Sequence, residues 1–281
     1  MSLLILIIAF FTFPSFLKFS KASDASDYKN SLKVLSYNVR LFNAYEENST
    51  VDVSKSLSEL LESQQHDVVC IQEYYKDMNM TFPEYPYQYI HYKIMELKKG
   101  EVKESILGHA ILSKYPLVNT AAFDFHGTFN NTIYADIIKG ADTLRVYNLH
   151  LNSLGIESSV SSLQNGDKVK LRRRMISGFV AQQEQLESVL NHRETSPYPT
   201  IMCGDFNNTP YSYIYEETSK AGMTDAFLER GNGMGTTLYF DFYPMRIDYI
   251  FSSEEFEVLD FETIQKTFSD HKSVTATFGW N

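Results

Sequence analysis

Cysteine is almost missing from this 281-residue chain, and its two examples, Cys70 and Cys203, cannot build a disulfide scaffold. Both sit in apolar, β-branched runs, "DVVCIQE" and "TIMCGDF", which marks them as small core hydrophobes and not as ligands or nucleophiles. Basic residues are short as well: 25 Lys and Arg stand against 35 Asp and Glu, a formal net charge of -10. A surface of that sign repels polyanions, so a stable, sequence-reading complex with nucleic acid is disfavoured unless basic residues gather locally. Transient contact with a phosphate substrate survives this exclusion, because a bound cation reverses the local sign. After residue 30 there is no Pro- or Gly-rich linker and no internal repeat, so nothing divides the chain. With 43% hydrophobic residues it can bury one substantial core.

Long apolar runs are confined to the start. "LLILIIAFFTFPSFL", Leu3 to Leu17, carries no charge; it is slightly short of the roughly 20 residues of a full membrane span and long for the apolar part of a secretory signal. No basic residue precedes it, Lys18 and Lys21 follow it, and "SKASDAS" holds no clean cleavage pattern, so a retained membrane anchor is preferred over a removed signal peptide. The expectation is an apolar segment with a polar linker over residues 1–30, then one catalytic domain over 31–281. Either form of the leader places the protein at a membrane or exports it to the cell envelope.

From Leu32 onward two periods alternate. "LKVLSYNVRLF" reads as a strand, "VDVSKSLSELLESQ" puts Val53, Leu57, Leu60 and Leu61 at helical spacing, and "HDVVCIQEYY" returns to a β-rich run. Strands are expected at "YQYIHYKI", "HAILSK", "VNTAAFDF", "NTIYADIIK" and "DTLRVYNLHL", joined mostly by short turns, which implies a mixed or antiparallel sheet. A long helix over Lys168 to His192 leads into "PTIMCGDF". A short helix near Ser212 to Lys220 precedes the last strands, "MRIDYIFSS", "FEVLDFETI" and "HKSVTATFG".

Polar residues stand at or just beyond the C-terminal ends of these strands: Asn38, Glu73, His150, Asn152, Asp205, Asn207 and Asp248. Asp270 and His271 precede the final strand instead. Such residues can converge on one rim of a sheet, where a rigid scaffold fixes their geometry. Each alone has a plainer explanation: Asn38 as a turn residue, Glu73 as a solvated carboxylate, "GDFNNTP" as a turn into a helix capped by Asn208 or Thr209. As a set they match metal-assisted phosphoryl hydrolysis. A hard cation such as Mg²⁺ takes one or two carboxylates, which Glu73 and Asp270 can supply. Asp205 can align or deprotonate the attacking water. Asn38, Asn207, His150 and His271 can meet the charge that develops on the phosphoryl oxygens, and Asp248 can hold His271 in one tautomer.

The series "SYNVR", "IQE", "GHAILSKYPL", "YNLHLNS", "CGDFNNTP", "RIDYIF" and "SDHKSV", in that order over about residues 32 to 279, resembles the endonuclease/exonuclease/phosphatase superfamily with its deoxyribonuclease-I-like fold. The resemblance implies an α/β fold, a four-layered α/β sandwich of two facing mixed β-sheets flanked by helices, with the site at one end. It implies Asn38, Glu73 and Asp270 at a Mg²⁺ site that Mn²⁺ could also fill, and His150, Asp205, Asn207, Asp248 and His271 as catalytic residues. The implied partner is a phosphate-ester substrate, whether nucleic acid, phospholipid head group or small phosphodiester, met by a protein expected to be a monomer with a membrane contact through its N-terminal segment. The alternative is a non-catalytic module that uses the same rim to bind phosphorylated ligands.

Two stretches stay outside this reading. "DKVKLRRRM" carries five cations from Lys168 to Arg174 beside the expected rim, and could engage a phosphate backbone or anionic lipid head groups. Three arginines in a row cannot share one helix face. "GNGMG", Gly231 to Gly235, reads as a flexible turn, since no lysine and helix start follow it.

Overall fold

The computed structural model describes residues 17–46, 52–96, 101–156 and 159–281. Its first half contains β1 (Asn30–Asn38), α1 (Val53–Gln64), β2 (Val68–Tyr75), β3 (Tyr87–Glu96), β4 (Val102–Ser113), β5 (Leu117–Phe123), β6 (Thr132–Lys139) and β7 (Asp142–His150). The second half adds α2 (Val160–Asn165), α3 (Lys168–Glu194), β8 (Thr200–Asp205), α4 (Tyr213–Lys220), β9 (Thr224–Asp225), α5 (Ala226–Arg230), β10 (Leu238–Phe240), β11 (Tyr243–Met245), β12 (Asp248–Ser252), β13 (Glu257–Thr263) and β14 (Val274–Trp280).

The long strands pair into two six-stranded sheets, ordered β13-β14-β1-β2-β4-β3 and β9-β12-β8-β7-β6-β5. Each is mixed, with one parallel neighbour pair, β1 with β2 and β7 with β8, among antiparallel ones. Two inward faces meet: Val34, Cys70 and Ile111 of one sheet pack against Ala135, Val146, Cys203 and Ile250 of the other. Both cysteines are free and buried there, as their apolar context requires. Helix α1 covers the outer face of the first sheet. Its Val53, Leu57 and Leu61 recur every four residues, so one stripe packs on Leu35, Val69 and Ile71. Asp52 opens it by accepting from the Lys55 N–H, and Gln65 closes it in the left-handed region. Burying each such leucine contributes about 1.5–3 kcal/mol. Helices α3 and α4 cover the second sheet through Leu186, Val189 and Ile214. The result is the four-layered α/β sandwich.

A polar bridge ties the two sheets together just below one end. Gln72 donates to Asn148 Oδ1 at 2.7 Å, and the Asn148 amide donates to the carbonyls of Ile71 and Ala110 at 2.9 Å. All of these groups are buried, where an unmade hydrogen bond costs about 1–3 kcal/mol, so the bridge fixes the relative setting of the sheets.

Several local expectations shift. The helix after "GDFNNTP" is capped by Ser212, whose hydroxyl accepts from Tyr215 N–H, and not by Asn208 or Thr209. Part of "GNGMG" pairs as a strand: Asn232 and Gly233 lie against Phe19 and Lys18. The aromatic β10–β11 hairpin has no counterpart in the sequence reading, because "LYFDFYPM" lacks a turn-forming Asn-Gly or Asp-Gly pair. Among the described residues no helix is long and apolar enough to cross a membrane. The apolar leader, from Leu3 through Phe16, lies outside the described residues.

Candidate active site

At one end of the sandwich the strands of both sheets deliver the polar residues. In the second sheet three neighbouring strands end in register: His150 of β7 lies beside Asp205 of β8, and Asp205 faces Asp248 of β12. The first sheet brings Asn38 from the end of β1. It also brings Glu73 from a bulge in β2, where the register against β4 slips between Ile71 and Tyr74. Glu73 takes φ 55°, a conformation that a bulge supplies and that re-aims its side chain into the gap between the sheets. Asp270 and His271 arrive on the turn before β14.

These side chains meet around one carboxylate oxygen. Asp205 Oδ2 lies 3.0 Å from Asn38 Nδ2, 3.6 Å from His150 Nε2 and 3.8 Å from His271 Nε2. The Asn38 amide also donates to Glu73 Oε1 at 3.2 Å, and His150 Nε2 stands 3.8 Å from that same oxygen. Behind His271, both carboxylate oxygens of Asp248 accept from Nδ1 at 3.0 and 3.1 Å. Asn207 lines the same cleft; its backbone N–H donates to Asp205 Oδ1 at 2.8 Å and its amide donates to Leu151 O. Asp270 is the exposed member, bonded to the Ser269 hydroxyl and 3.7 Å from Arg40 Nε. Asn152 stays behind the cluster, with its backbone N–H on Gln185 Oε1. All eight residues named for the site therefore line or abut one cleft of about 430 Å³.

Gly204 earns its place differently from a turn residue. It pairs within the sheet, and a Cβ there would meet Leu149 O at 1.9 Å, so glycine is needed for the close approach of β7 to β8. The turn itself falls at Asn207, φ 51°, where the Asp205 carboxylate caps the backbone.

Burial and proximity set the charge states. Asp205 is pushed up to about 6, first by desolvation and then by Asp248. Desolvation also raises Glu73, with donation from Asn38 as the partial offset. His150 is lowered by burial and is neutral near pH 7. Burial opposes charge on His271 too, yet Asp248 and Asp205 carry it up to about 10, so it is an imidazolium at neutral pH.

The donor chemistry fits a divalent cation. Asp205, Asp248 and His271 offer ligand atoms within 4.8 Å of one another. Asp248 and His271 are spent on each other, however, and an imidazolium has no lone pair to give. The oxygens left for a hard cation are those of Glu73, Asp205 and Asp270. Asn38 turns its nitrogen to the carboxylates while its oxygen accepts from Arg40 N–H, so in this rotamer it is a donor that holds Glu73 and Asp205 and not a metal ligand.

Sequence reasoning missed the rest of the cleft. His109 of β4 is buried with neither ring nitrogen bonded, its ring 5.5 Å from that of His150, and burial lowers its pKa well below the usual value. The signal was available in "GHAILS", where His109 shares the inward parity of Ile111. The apolar walls, Leu41, Phe129, Leu154, Leu238, Phe240 and Met245, come from loops and the hairpin, which carry no periodic signal.

Two sheets thus present carboxylates, amides and a paired histidine to one cleft. The chain belongs to the Endonuclease/Exonuclease/phosphatase family, whose model matches residues 35–271. No curated protein matches it. Among solved structures it is similar to an endonuclease/exonuclease/phosphatase from Bacteroides vulgatus, at 16% identity and a TM-score of 0.66 over 90% of this chain and 100% of that one. The human Nocturnin catalytic domain with bound sulfate aligns at 18% identity and a TM-score of 0.65 over 89% and 95%. D. rerio TDP2 complexed with a single-strand DNA product aligns at 17% identity and a TM-score of 0.61 over 89% and 100%. Likeness at these identities establishes the shared fold.

Proposed function

We propose that the protein is a Mg²⁺-dependent phosphoesterase that hydrolyses a phosphodiester or phosphomonoester by in-line attack of an activated water. The observation that carries this reading is the meeting of Asn38, His150 and His271 on the one Asp205 oxygen, with Asp248 behind His271. A carboxylate held near pH 6 is ionised at neutral pH and still basic enough to take a proton from water. His271, kept protonated by Asp248, supplies a fixed positive donor for charge developing on a phosphoryl oxygen, and neutral His150 supplies a second donor. Asn38 and the Asn207 backbone hold Asp205 on its two oxygens, so its geometry needs no reorganisation. Glu73 and Asp270 would hold the cation. When bound, it would screen the charge on the phosphoryl and leaving oxygens.

The test is hydrolysis of bis(p-nitrophenyl) phosphate with and without Mg²⁺. Turnover should vanish with a chelator, return with Mg²⁺ or Mn²⁺, and be lost in Glu73→Ala and Asp205→Asn. Activity that survives both variants would place the chemistry elsewhere. Phosphate binding without turnover in the wild type would favour the non-catalytic module. The apolar Leu3–Leu17 run supports placement at a membrane or in the cell envelope, which fractionation of cells expressing the full chain would check.

A further inference from the structure

The cleft mouth combines two features that the hydrolytic site does not use. The first is an overhanging cationic helix end. Gln182 and Gln185 of α3 stand level with the strand ends, bonded to the backbone of Asn152 and Asn207. Gly178 is the first buried residue of the helix, packed on Leu154 in the cleft wall. Residues 168–177 therefore run on past the end of the sheet, about 15 Å at 1.5 Å per residue. That overhang carries Lys168, Lys170, Arg172, Arg173 and Arg174, five cations in a chain of net charge -10. It also exposes Val169 and Ile176, at 68% and 54%.

The second feature is the β10–β11 hairpin. Its base is fixed beside the site, since Thr237 accepts from Ile247 and Asp248 N–H. Leu238 and Phe240 line the cleft, while Phe242 and Tyr243 at the tip pack with tilted rings, centroids 4.3 Å apart, and stand 72% and 53% exposed. The two features are joined: Asp241 of the tip accepts from the Val160 N–H at the start of α2, and Arg174 donates to Gly155 in the cleft wall.

We propose that the cleft mouth docks on an anionic lipid surface, the hairpin tip entering the head-group layer and the α3 overhang pairing with lipid phosphates. Charge complementarity selects the occupant. The basic residues flank the mouth, whereas the cleft lining among the described residues contains no Lys or Arg and three carboxylates, Glu73, Asp205 and Asp270. A nucleic-acid strand could stack bases on the Phe242–Tyr243 tip, but Val169 and Ile176, exposed among the cations, offer it no π-face, and the described cleft lining between carries no Lys or Arg to track its backbone. A bilayer fits both parts: apolar tips partition into the interface, and each nearby cation adds to attraction for anionic head groups. The inference rests on the cleft being the reaction site proposed above and names the surface from which its substrate would come.

The experiment reads fluorescence and needs no turnover, so it fails separately from the hydrolytic reading. The chain has one tryptophan, Trp280, on β14 opposite Asn30, at the end of β1 away from the cleft. The full-length chain and its Phe242→Trp variant are mixed with vesicles of phosphatidylglycerol and phosphatidylcholine, with and without brominated acyl chains. Emission at position 242 should shift to the blue and lose half or more of its intensity to the brominated lipid, while Trp280 in the unaltered chain stays unquenched. Adding Arg172→Glu and Arg173→Glu should reduce the quenching at least threefold, with the Trp280 emission reporting an intact fold. Equal quenching at positions 242 and 280, or none at 242, overturns the proposal, the former because the leader alone would then be holding the protein with no preferred face. So does equal quenching by pure phosphatidylcholine vesicles, or a blue shift produced by single-stranded oligonucleotide and not by vesicles.

Discussion

On the floor of the cleft, Asn38, His150, Asp205 and Asp248 stand on strand ends and are at most 6% exposed; at its mouth, Phe129 on a loop and the Phe242–Tyr243 tip of the short β10–β11 hairpin are more than half exposed. Asn38, Asp205 and Asp248 are each held twice, by a ladder that sets the backbone and by hydrogen bonds that set the side chain, while His150 is held by its ladder and faces Asp205 and Glu73 at 3.6 and 3.8 Å. The mouth is held by a few tethers, such as Asp241 to Val160 and Arg174 to Gly155. Chemistry that depends on tenths of an ångström belongs on the first kind of support. Choice of substrate can vary on the second without disturbing the fold.

The largest expected effect separates the two regions by what breaks. Asp205→Asn and His271→Ala should each lower kcat/KM on bis(p-nitrophenyl) phosphate by about 10²–10⁴-fold. Asp205→Asn should also raise the unfolding midpoint. Its folded pKa of about 6 lies above the unfolded value near 3.9, so the folded state holds the proton more tightly and loses stability as pH rises through this range. At neutral pH the carboxylate is a cost that the amide removes, a trade of stability against activity. A midpoint that falls in urea melts would make Asp205 a structural residue and the contrast false.

Backbone substitution on the floor comes next. In Gly204→Ala the new methyl would press on the Leu149 carbonyl at a φ of 143°, so the β7–β8 ladder must open. A loss of about 3 kcal/mol or more is expected, with activity falling alongside stability, unlike the Asp205 case. Wild-type stability in thermal and urea melts would show that the floor is looser than its packing indicates.

That contrast also explains what could be read before any coordinates. Asn38, His150 and Asp205 were legible because a period of two gives the strand and the strand gives its end, whereas Asp248 opens β12 and does not close it, reaching the same rim because β12 runs antiparallel to β8. The β2 bulge that turns Glu73 inward was not legible, nor was the Gln72–Asn148 bridge, since both depend on pairing between distant strands. Gly204, inside "GDFNNTP", reads from sequence as part of a turn, because close approach of a neighbouring strand leaves no local trace. His109 was passed over because one histidine in a strand looks like core until its ring nitrogens are seen without partners. The mouth was nearly silent: loops fold by contacts with the domain and not by propensity, and only the cations of "DKVKLRRRM" announced themselves.

The pH profile sharpens the comparison within the floor. With Asp205 required as a carboxylate and His271 as a cation, kcat/KM should rise tenfold per unit below about 6 and fall tenfold per unit above about 10. Asp248→Asn removes the main charge that supports His271 and should move the upper limb towards 7. An unchanged upper limb in that variant would mean that another group sets it. The far end of the same sheet supplies a control that touches stability alone. His66 is fully buried with both nitrogens unbonded, and burial lowers it to about 3. The unfolded chain takes up a proton there below 6.5 and the folded one does not until far lower, so stability should fall by about 1.4 kcal/mol per unit as pH drops from 6.5. In His66→Gln that part of the acid slope should flatten, with the activity profile unmoved.

The smallest expected effect lies at the mouth. Phe240 lines the cleft from the hairpin with an apolar ring that offers no hydrogen bond, so Phe240→Ala should remove uniform binding and leave the transition state's own contacts alone. KM for bis(p-nitrophenyl) phosphate should rise about three- to tenfold, the equivalent of about 1 kcal/mol of apolar contact, with kcat within twofold. Methyl p-nitrophenyl phosphate, which lacks one aromatic body, should lose less, because it has less surface to place against the wall. The ratio of kcat/KM values for the two esters therefore measures the wall directly, and it should shrink in the variant while staying constant in any floor variant that retains measurable activity. A drop in kcat that is the same for both esters would mean that the hairpin positions Asp248 through its base at Thr237, which would make mouth and floor one mechanical unit.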